Sequence, residues 1–505
     1  MPNRFLKGLM AKRRSVLIAC LAVMISPWQA AHAQSSDSEI VVALATEPPG
    51  LDPTMQASAS VSDVVWYNIY EGLTRYGPDG SLEPGLAESW SREGENVYVF
   101  KLRPDVVFHD GTPFTSEDVK FSFERNVAEE STNKRKRVFE NFSKIETPDP
   151  LTVRITLAEP SSLLPFALAE ATAAISSPAT ADDNRTSPVG TGPYKFVEWV
   201  RGDSIEMERF EDYNGPIQPT IDDVTFRFLS DENSQILAVR SGQVDYLPSI
   251  AAVEAVETIE NQGGYQITQG QTQGVLFLGM NNKQEPFDDV NVRRAMYYAV
   301  DPEVVNIGTH AGLGKLGGAQ TNELNPYFVD VLGERQPDPE KARELLAEAG
   351  YPDGFTVNLR VLSSPSTRRT AEILVGVLAE SGITVELEIL ETGQWIDTVF
   401  RQKNYDMTII SHPEPWAILN YTDPNYFYQY DGPEFRALMQ EAQAATDEEV
   451  IREKLAAAQK QLYEDAPVVW MYAMPQVGVV REGLKGTRVD LPVSAYPIAE
   501  MSWEE

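Results

Sequence analysis

The stretch His412 to Tyr430, HPEPWAILNYTDPNYFYQY, gathers two carboxylates, Glu414 and Asp423, and six aromatic side chains within nineteen residues. Pro413 and Pro415 stiffen it. Flat rings suit apolar, sugar or cationic groups, and a carboxylate suits an amine, so the segment reads as one wall of a ligand site. The same rings would equally fill the core of their own lobe. Trp416 is assigned to the wall, and Tyr426 to Tyr430 to packing, because so dense a run does not point one way. Glu414 with Asp423 also admits a hydrolase working with paired carboxylates. Both sit in one loop, however, and nothing places them across a scissile bond.

Elsewhere reactive groups are sparse. No H-E-x-x-H, G-x-S-x-G or P-loop occurs. Gly312-Leu313-Gly314-Lys315-Leu316-Gly317 spells G-x-G-x-x-G but follows no predicted strand, and reads as a surface loop. Beyond residue 33 the histidines are His109, His310 and His412, without metal-ligand spacing. His412 closes a predicted strand, where it either faces a cleft or caps its own turn. Cys20 is the only cysteine. No catalytic residue, no metal and no cofactor is expected.

The elements that must position these groups follow from periodicity. Thr356 to Leu362 reads as a strand, Arg368 to Glu380 as a helix, Ile383 to Leu390 as a strand, Trp395 to Gln402 as a short helix and Tyr405 to Ser411 as a strand. This β-α-β-α-β order predicts a parallel sheet. Ligands sit beyond the carboxyl ends of such strands, here Ser363-Ser364, Glu391 to Trp395 and His412 to Trp416. From Glu39 to about Tyr265 short strands alternate with Gly/Pro turns, as in an α+β lobe with an elaborated subdomain. Lys134 to Arg137, KRKR, reads as a solvated loop or helix face.

The chain begins as an export leader: Arg4, Lys7, Lys12, Arg13 and Arg14, a mostly apolar Ser15 to Trp28, and Ala31-His32-Ala33 as cleavage site. Leu17-Ile18-Ala19-Cys20 faintly resembles a lipoprotein box, but the apolar segment continues past Cys20, so cleavage after Ala33 is preferred to lipidation. Cleavage would leave 472 of the 505 residues, more than one core usually serves, so two or more lobes are expected. Removing the leader's five positive charges takes the formal charge from −33 to −38. That balance excludes nucleic-acid binding and adhesion to anionic lipid. It fits plain solubility or attraction of cationic solutes. No stretch beyond the leader reaches membrane length.

Residues 100 to 125, FKLRPDVVFHDGTPFTSEDVKFSFER, read as strand, turn, strand, turn and a helix opened by a Thr115/Asp118 capping box. The segment closely resembles the signature of the large extracytoplasmic solute-binding proteins of peptide/nickel-type ABC importers, the peptide-binding family 5. TEPPGLDP from Thr46, YEGL from Tyr70, PGLAESW from Pro84, GTGPY from Gly190, MNN from Met280 with VRRA from Val292, and DPEKA from Asp338 resemble the family's other blocks in order. The resemblance implies an α/β, two-lobed periplasmic-binding-protein fold of type II with an extra subdomain, joined by hinges. Its divisions would be a signal peptide over 1–33, lobe I over 34–275 with an insert at about 70–185, lobe II over 276–474, and a return to lobe I over 475–505. It implies a monomeric periplasmic protein that captures a small molecule or peptide and delivers it to ABC permease subunits, without stable membrane insertion. Relatives that present ligand to signalling partners leave sensing open beside import. The implied ligand set is Thr46, Glu47, Leu51 and Tyr67 from the first lobe, with Ser363, Ser364, Arg368, Trp395, His412, Glu414, Trp416, Asn420, Tyr421 and Asp423 from the second. Dipeptide-binding members pair an aspartate in the last of these loops with the peptide amine. Here that loop is longer and the aspartate lacks a clean match, with Glu414 as substitute. The arginine for the peptide carboxylate is likewise unmatched, Arg368 being only nearby. Because a buried charge without its partner costs several kcal/mol, an oligosaccharide or opine stands beside a peptide as ligand.

Overall fold

Strand Phe355–Leu362 buries Val357, Leu359 and Val361 on alternate positions, the period of a pleated strand with one face on a core. It pairs in parallel with Ile383–Leu390 over its full length and with Met407–His412 on its other side. The helix between the first two strands runs Pro365–Ala379, three residues earlier than periodicity suggests. The Ser364 hydroxyl accepts from the Thr367 amide at 3.2 Å, and Pro365 occupies the first turn, a strong start signal. Gly382, at φ 81°, turns the chain into the next strand.

The computed structural model describes residues 38–504 except 57, 251–255 and 333–335; the expected leader and Cys20 lie outside the described residues. One sheet of eleven strands runs through them. From one edge its order is 383–390, 355–362, 407–412, 265–280, 468–481, 246–247, 39–44, 223–228, 204–209 and 194–200, with 315–316 beside 468–481. Two long antiparallel strands, Tyr265–Met280 and Val468–Arg481, tie its halves together. Their register breaks between Gln271 and Val275, where three residues oppose one, the geometry of a bulge that bends both strands. Gly270 lies beside this break, where a Cβ would sit 2.0 Å from the Val489 carbonyl oxygen.

A separate four-stranded antiparallel sheet (87–93, 97–102, 152–157, 142–149) carries helix Ser116–Val127 and its own apolar core, centred on Phe100, Phe108, Phe123 and Ile155. The helix opens with the expected capping box: the Thr115 amide and hydroxyl both donate to Asp118 Oδ2, at 2.8 and 3.0 Å. Val106–His109 is not a strand; Val107 makes only an isolated bridge to Pro113, as Asp110 and Gly111 turn the chain back at once. His109 fastens this turn. Its Nδ1 accepts from the Gly190 amide at 3.3 Å and its Nε2 donates to the Gly192 carbonyl at 2.9 Å.

Candidate ligand-binding site

A cavity of about 370 Å3 lies between the first helix of the described chain and the loop that follows strand Met407–His412. Pro53, Gln56, Ser58, Ala59, Ser62 and Trp66 form one side, the last four on or beside helix Ala59–Val65. The smaller sheet's subdomain contributes Lys134 and Arg135, just before helix Lys136–Glu140, together with Glu170 to Thr172. Opposite stand Pro413, Glu414, Pro415, Asn420 and Tyr426, with Phe400 beside them. Val493 and Ser494 close the floor.

The cavity carries charges of both signs. Arg135 Nε and Nη2 donate to Glu170 Oε2 and Oε1 at 2.9 and 3.1 Å, a two-pronged pair. Burial pulls the Arg135 guanidinium down, but Glu170 and then Glu414 more than offset this, so it sits above its ordinary value. On the far side Glu414 Oε2 is buried and accepts no hydrogen bond among the described residues. It stands 3.8 Å from His412 Nδ1. His412 is packed among Phe277, Tyr426 and Phe427, with ring centroids 5.2 to 6.0 Å away, and its Nε2 also lacks a partner among the described residues. Burial lowers the His412 imidazole, Glu414 opposes this and Arg135 adds to it, so the ring is neutral near pH 7. The cavity thus holds an Arg135–Glu170 pair that also feels Glu414, and one buried Glu414 oxygen with no hydrogen-bond donor among the described residues.

Of the fourteen residues that sequence reasoning assigns to ligand contact, Glu414 and Asn420 line this cavity, with His412 directly behind Glu414. Trp416 does not: its indole is buried, donates to the Tyr76 hydroxyl at 3.2 Å and packs edge-on to Phe166 at 5.1 Å. Tyr421 is buried, stacked on Tyr428 at 4.4 Å and bonded to Gln320. Asp423 faces Arg137 at 3.7 Å and is not among the residues that line the cavity with Glu414. Trp395 is buried and donates to Thr408 Oγ1 at 3.0 Å. Ser364 caps its helix, while Ser363 and Arg368 are exposed outside the lining.

In the first half, Thr46 is exposed outside the lining, and Glu47 accepts from Trp199 Nε1 and the Gly202 amide, both at 3.0 Å. Leu51 is buried. Tyr67, at φ 64°, donates to the Ala169 carbonyl and lies under the Arg75 guanidinium. Sequence reasoning missed Lys134, Arg135, Glu170 and Phe400. A basic run looks alike on a solvated face and in a cavity wall, and Glu170 carries no local signal. Phe400 carries no sequence signal either; only the structure shows it exposed on the 396–401 turn, whose π-type winding often marks a functional site.

Residues 81–435 match the family model described as bacterial extracellular solute-binding proteins, family 5, middle. Among curated proteins, the glutathione-binding protein GsiB of Pectobacterium atrosepticum is 31% identical over 365 residues, covering 70% of each chain. Among solved structures, the PBP AgaA in complex with agropinic acid, from A. tumefaciens R10, superposes with a TM-score of 0.76 at 30% identity, covering 92% of this chain and 99% of that one. The binding protein DppA of Helicobacter pylori, in complex with the peptide STSA, superposes with a TM-score of 0.73 at 24% identity, covering 92% and 98%.

Proposed function

The chain belongs to the bacterial extracellular solute-binding proteins, family 5, and from that premise we propose that it is the periplasmic binding component of an ABC importer. Its solute is small and polar, peptide-like or otherwise derived from amino acids. The solute sits in the cavity between residues 53–66 and 413–426, where the buried, unpartnered Glu414 Oε2 accepts a hydrogen bond from its ammonium group. That oxygen carries the reading, because a buried acceptor without a hydrogen-bond donor is costly until a ligand supplies one.

Lobe I (34–275) and lobe II (276–474) close on the solute by bending the paired long strands near 274–282 and 472–480, and residues 475–505 return to lobe I. Contacts with the solute favour the closed form, which the permease engages; no covalent step is required. The names of the relatives, which bind glutathione, agropinic acid and a peptide, support a solute carrying amine and carboxylate groups. Native mass spectrometry of protein purified from its own host should reveal retained solute. After solute removal, the unfolding temperature should rise with the logarithm of added ligand. The reading is falsified if peptides, opines and oligosaccharides all leave that temperature unchanged.

A further inference from the structure

We propose that Arg92 and Ser162 form a clasp that holds the two lobes together from outside the cavity, so that solute affinity is set in part by a contact no solute touches. This rests on the two-lobed reading above: both residues belong to 34–275, and what they grip, the end of helix Pro433–Ala444, belongs to 276–474.

The grip follows from how a helix ends. The Ala445 amide donates to the Glu441 carbonyl at 3.0 Å, and the carbonyls that come after Glu441 lack a partner within the helix. The other lobe supplies the donors. The Ser162 hydroxyl donates to the Ala442 carbonyl and its amide to the Gln443 carbonyl, both at 2.9 Å. Arg92 Nη2 donates to the Gln443 carbonyl at 3.0 Å and Nη1 to the Ala445 carbonyl at 2.5 Å. A guanidinium placed there also meets the negative end of the helix dipole.

Both arms are set in advance by the smaller sheet. Arg92 lies on strand Ala87–Glu93, its Nε donates to the Glu95 carbonyl of the following turn at 3.0 Å, and its guanidinium sits over the Tyr98 ring at 5.5 Å. The Tyr98 hydroxyl donates to the Ser161 carbonyl at 2.9 Å, which steadies the other arm. Groups held this way lose little freedom when the helix end meets them. Neither Arg92 nor Ser162 lines the cavity. Phe166, just past Ser162, connects the two places: it packs on Trp416 at 5.1 Å, in the loop that carries Glu414. A clasp outside the cavity acts through the fraction of chains held closed, and so multiplies the affinity for every solute by one factor. It does not choose between solutes, which separates it from the residues of the cavity wall.

The test uses the full chain carrying Cys20→Ser, spin-labelled at Glu95→Cys and Thr446→Cys, two exposed positions on either side of the clasp. Pulsed electron spin resonance of solute-free protein reads the ratio of the short, clasped distance to longer ones. Arg92→Ala should lower that ratio by about 10-fold, as for hydrogen bonds from a charged donor, and Ser162→Ala, which keeps its amide, by about 3- to 5-fold. Ser162→Ala decides alone if Arg92→Ala fails to fold. A ratio unchanged by these substitutions overturns the proposal, the mark of a fixed interface. Calorimetry with glutathione, trialanine and maltotriose gives a second readout: the variants should weaken every probe that wild type binds by one common factor, to within about 2-fold. Weakening of one bound probe and not another, or of none, overturns the clasp and leaves the solute-binding reading in place. If wild type binds no probe and the distances still shift, the clasp stands and that reading fails.

Discussion

Asp63 offers a test of how burial without compensation acts in this fold. It lies on helix Ala59–Val65, beside the cavity residues Ser62 and Trp66, and burial alone pushes its carboxyl from 3.8 up to about 7. Its charge bears on two buried phenols, Tyr246 and Tyr496. The gap between 3.8 and about 7 corresponds to about 4 kcal/mol at about 1.4 kcal/mol per pH unit. Water reaches part of this half-buried side chain and screens it, so about 2 kcal/mol is expected. The sign follows from proton uptake: between pH 3.8 and about 7 the folded chain holds a proton that the unfolded chain releases. The stability this group contributes is complete below its unfolded value and is lost as pH rises through about 7. Asp63→Asn, neutral and close in shape, should therefore exceed wild type by about 2 kcal/mol at pH 8 and by about 1 kcal/mol or less at pH 5. Urea unfolding of solute-free protein at both pH values, with unchanged slope, measures this. The difference between variants matters, not the wild-type profile, because His109 tilts the opposite way. Burial lowers that imidazole to about 4, so its contribution is lost as pH falls from 6.5 through 4. An Asp63→Asn gain that is equal at both pH values, or larger at pH 5, would refute the reasoning.

Three further outcomes follow from particular contacts. Trp416→Ala, by emptying the space against Tyr76 and Phe166, should cost about 3–5 kcal/mol in urea unfolding; an unchanged midpoint with weaker solute binding would instead return Trp416 to the cavity wall. Arg125→Ala should cost about 3–5 kcal/mol, because it strands Asp52, which is 2% exposed and paired with Arg125 at 2.8 Å; adding Asp52→Asn should recover much of the loss, and no recovery would mean that the charge is not the cause. Glu414→Gln should weaken an amine-bearing solute by about 10- to 100-fold in calorimetry while changing the urea midpoint little, since Glu414 Oε2 accepts no hydrogen bond among the described residues.

The scaffold was legible because local signals agreed with one another. The capping box at Thr115, the strands 355–362 and 383–390, and the stripe Ile451, Leu455, Ala458 and Leu462 on helix Glu448–Asp465 needed only periodicity and end chemistry. Of the three loops expected to line a cleft, one lines the candidate cavity. All three loops follow carboxyl ends of parallel strands, but 383–390 and 355–362 lie at the far edge of the sheet, whereas 407–412 adjoins the long strand 265–280 that leads towards the other half. Only the loop after 407–412 supplies Glu414 and Asn420 to the cavity, while Ser364 and Trp395 serve their own helix and strand. Sheet order is a long-range property, and no window of sequence contains it. Lys134 and Arg135 escaped for the same reason: what makes them cavity residues is the placement of Glu170 and Thr172, far along the chain.

The charge of the whole chain and the charge of the cavity are then separate properties. At −33 for the full chain, the surface field favours any cation at long range, and composition alone would make the solute basic. The cavity does not share that bias. It is lined by Lys134 and Arg135 against Glu170 and Glu414, with His412 neutral behind them. Fields from exposed carboxylates decay within about 8–10 Å at moderate salt, whereas charges at the cavity wall act at contact distance and with less screening. At the proposed solute site, selectivity would therefore follow the arrangement of those four side chains, while net charge governs solubility and encounter.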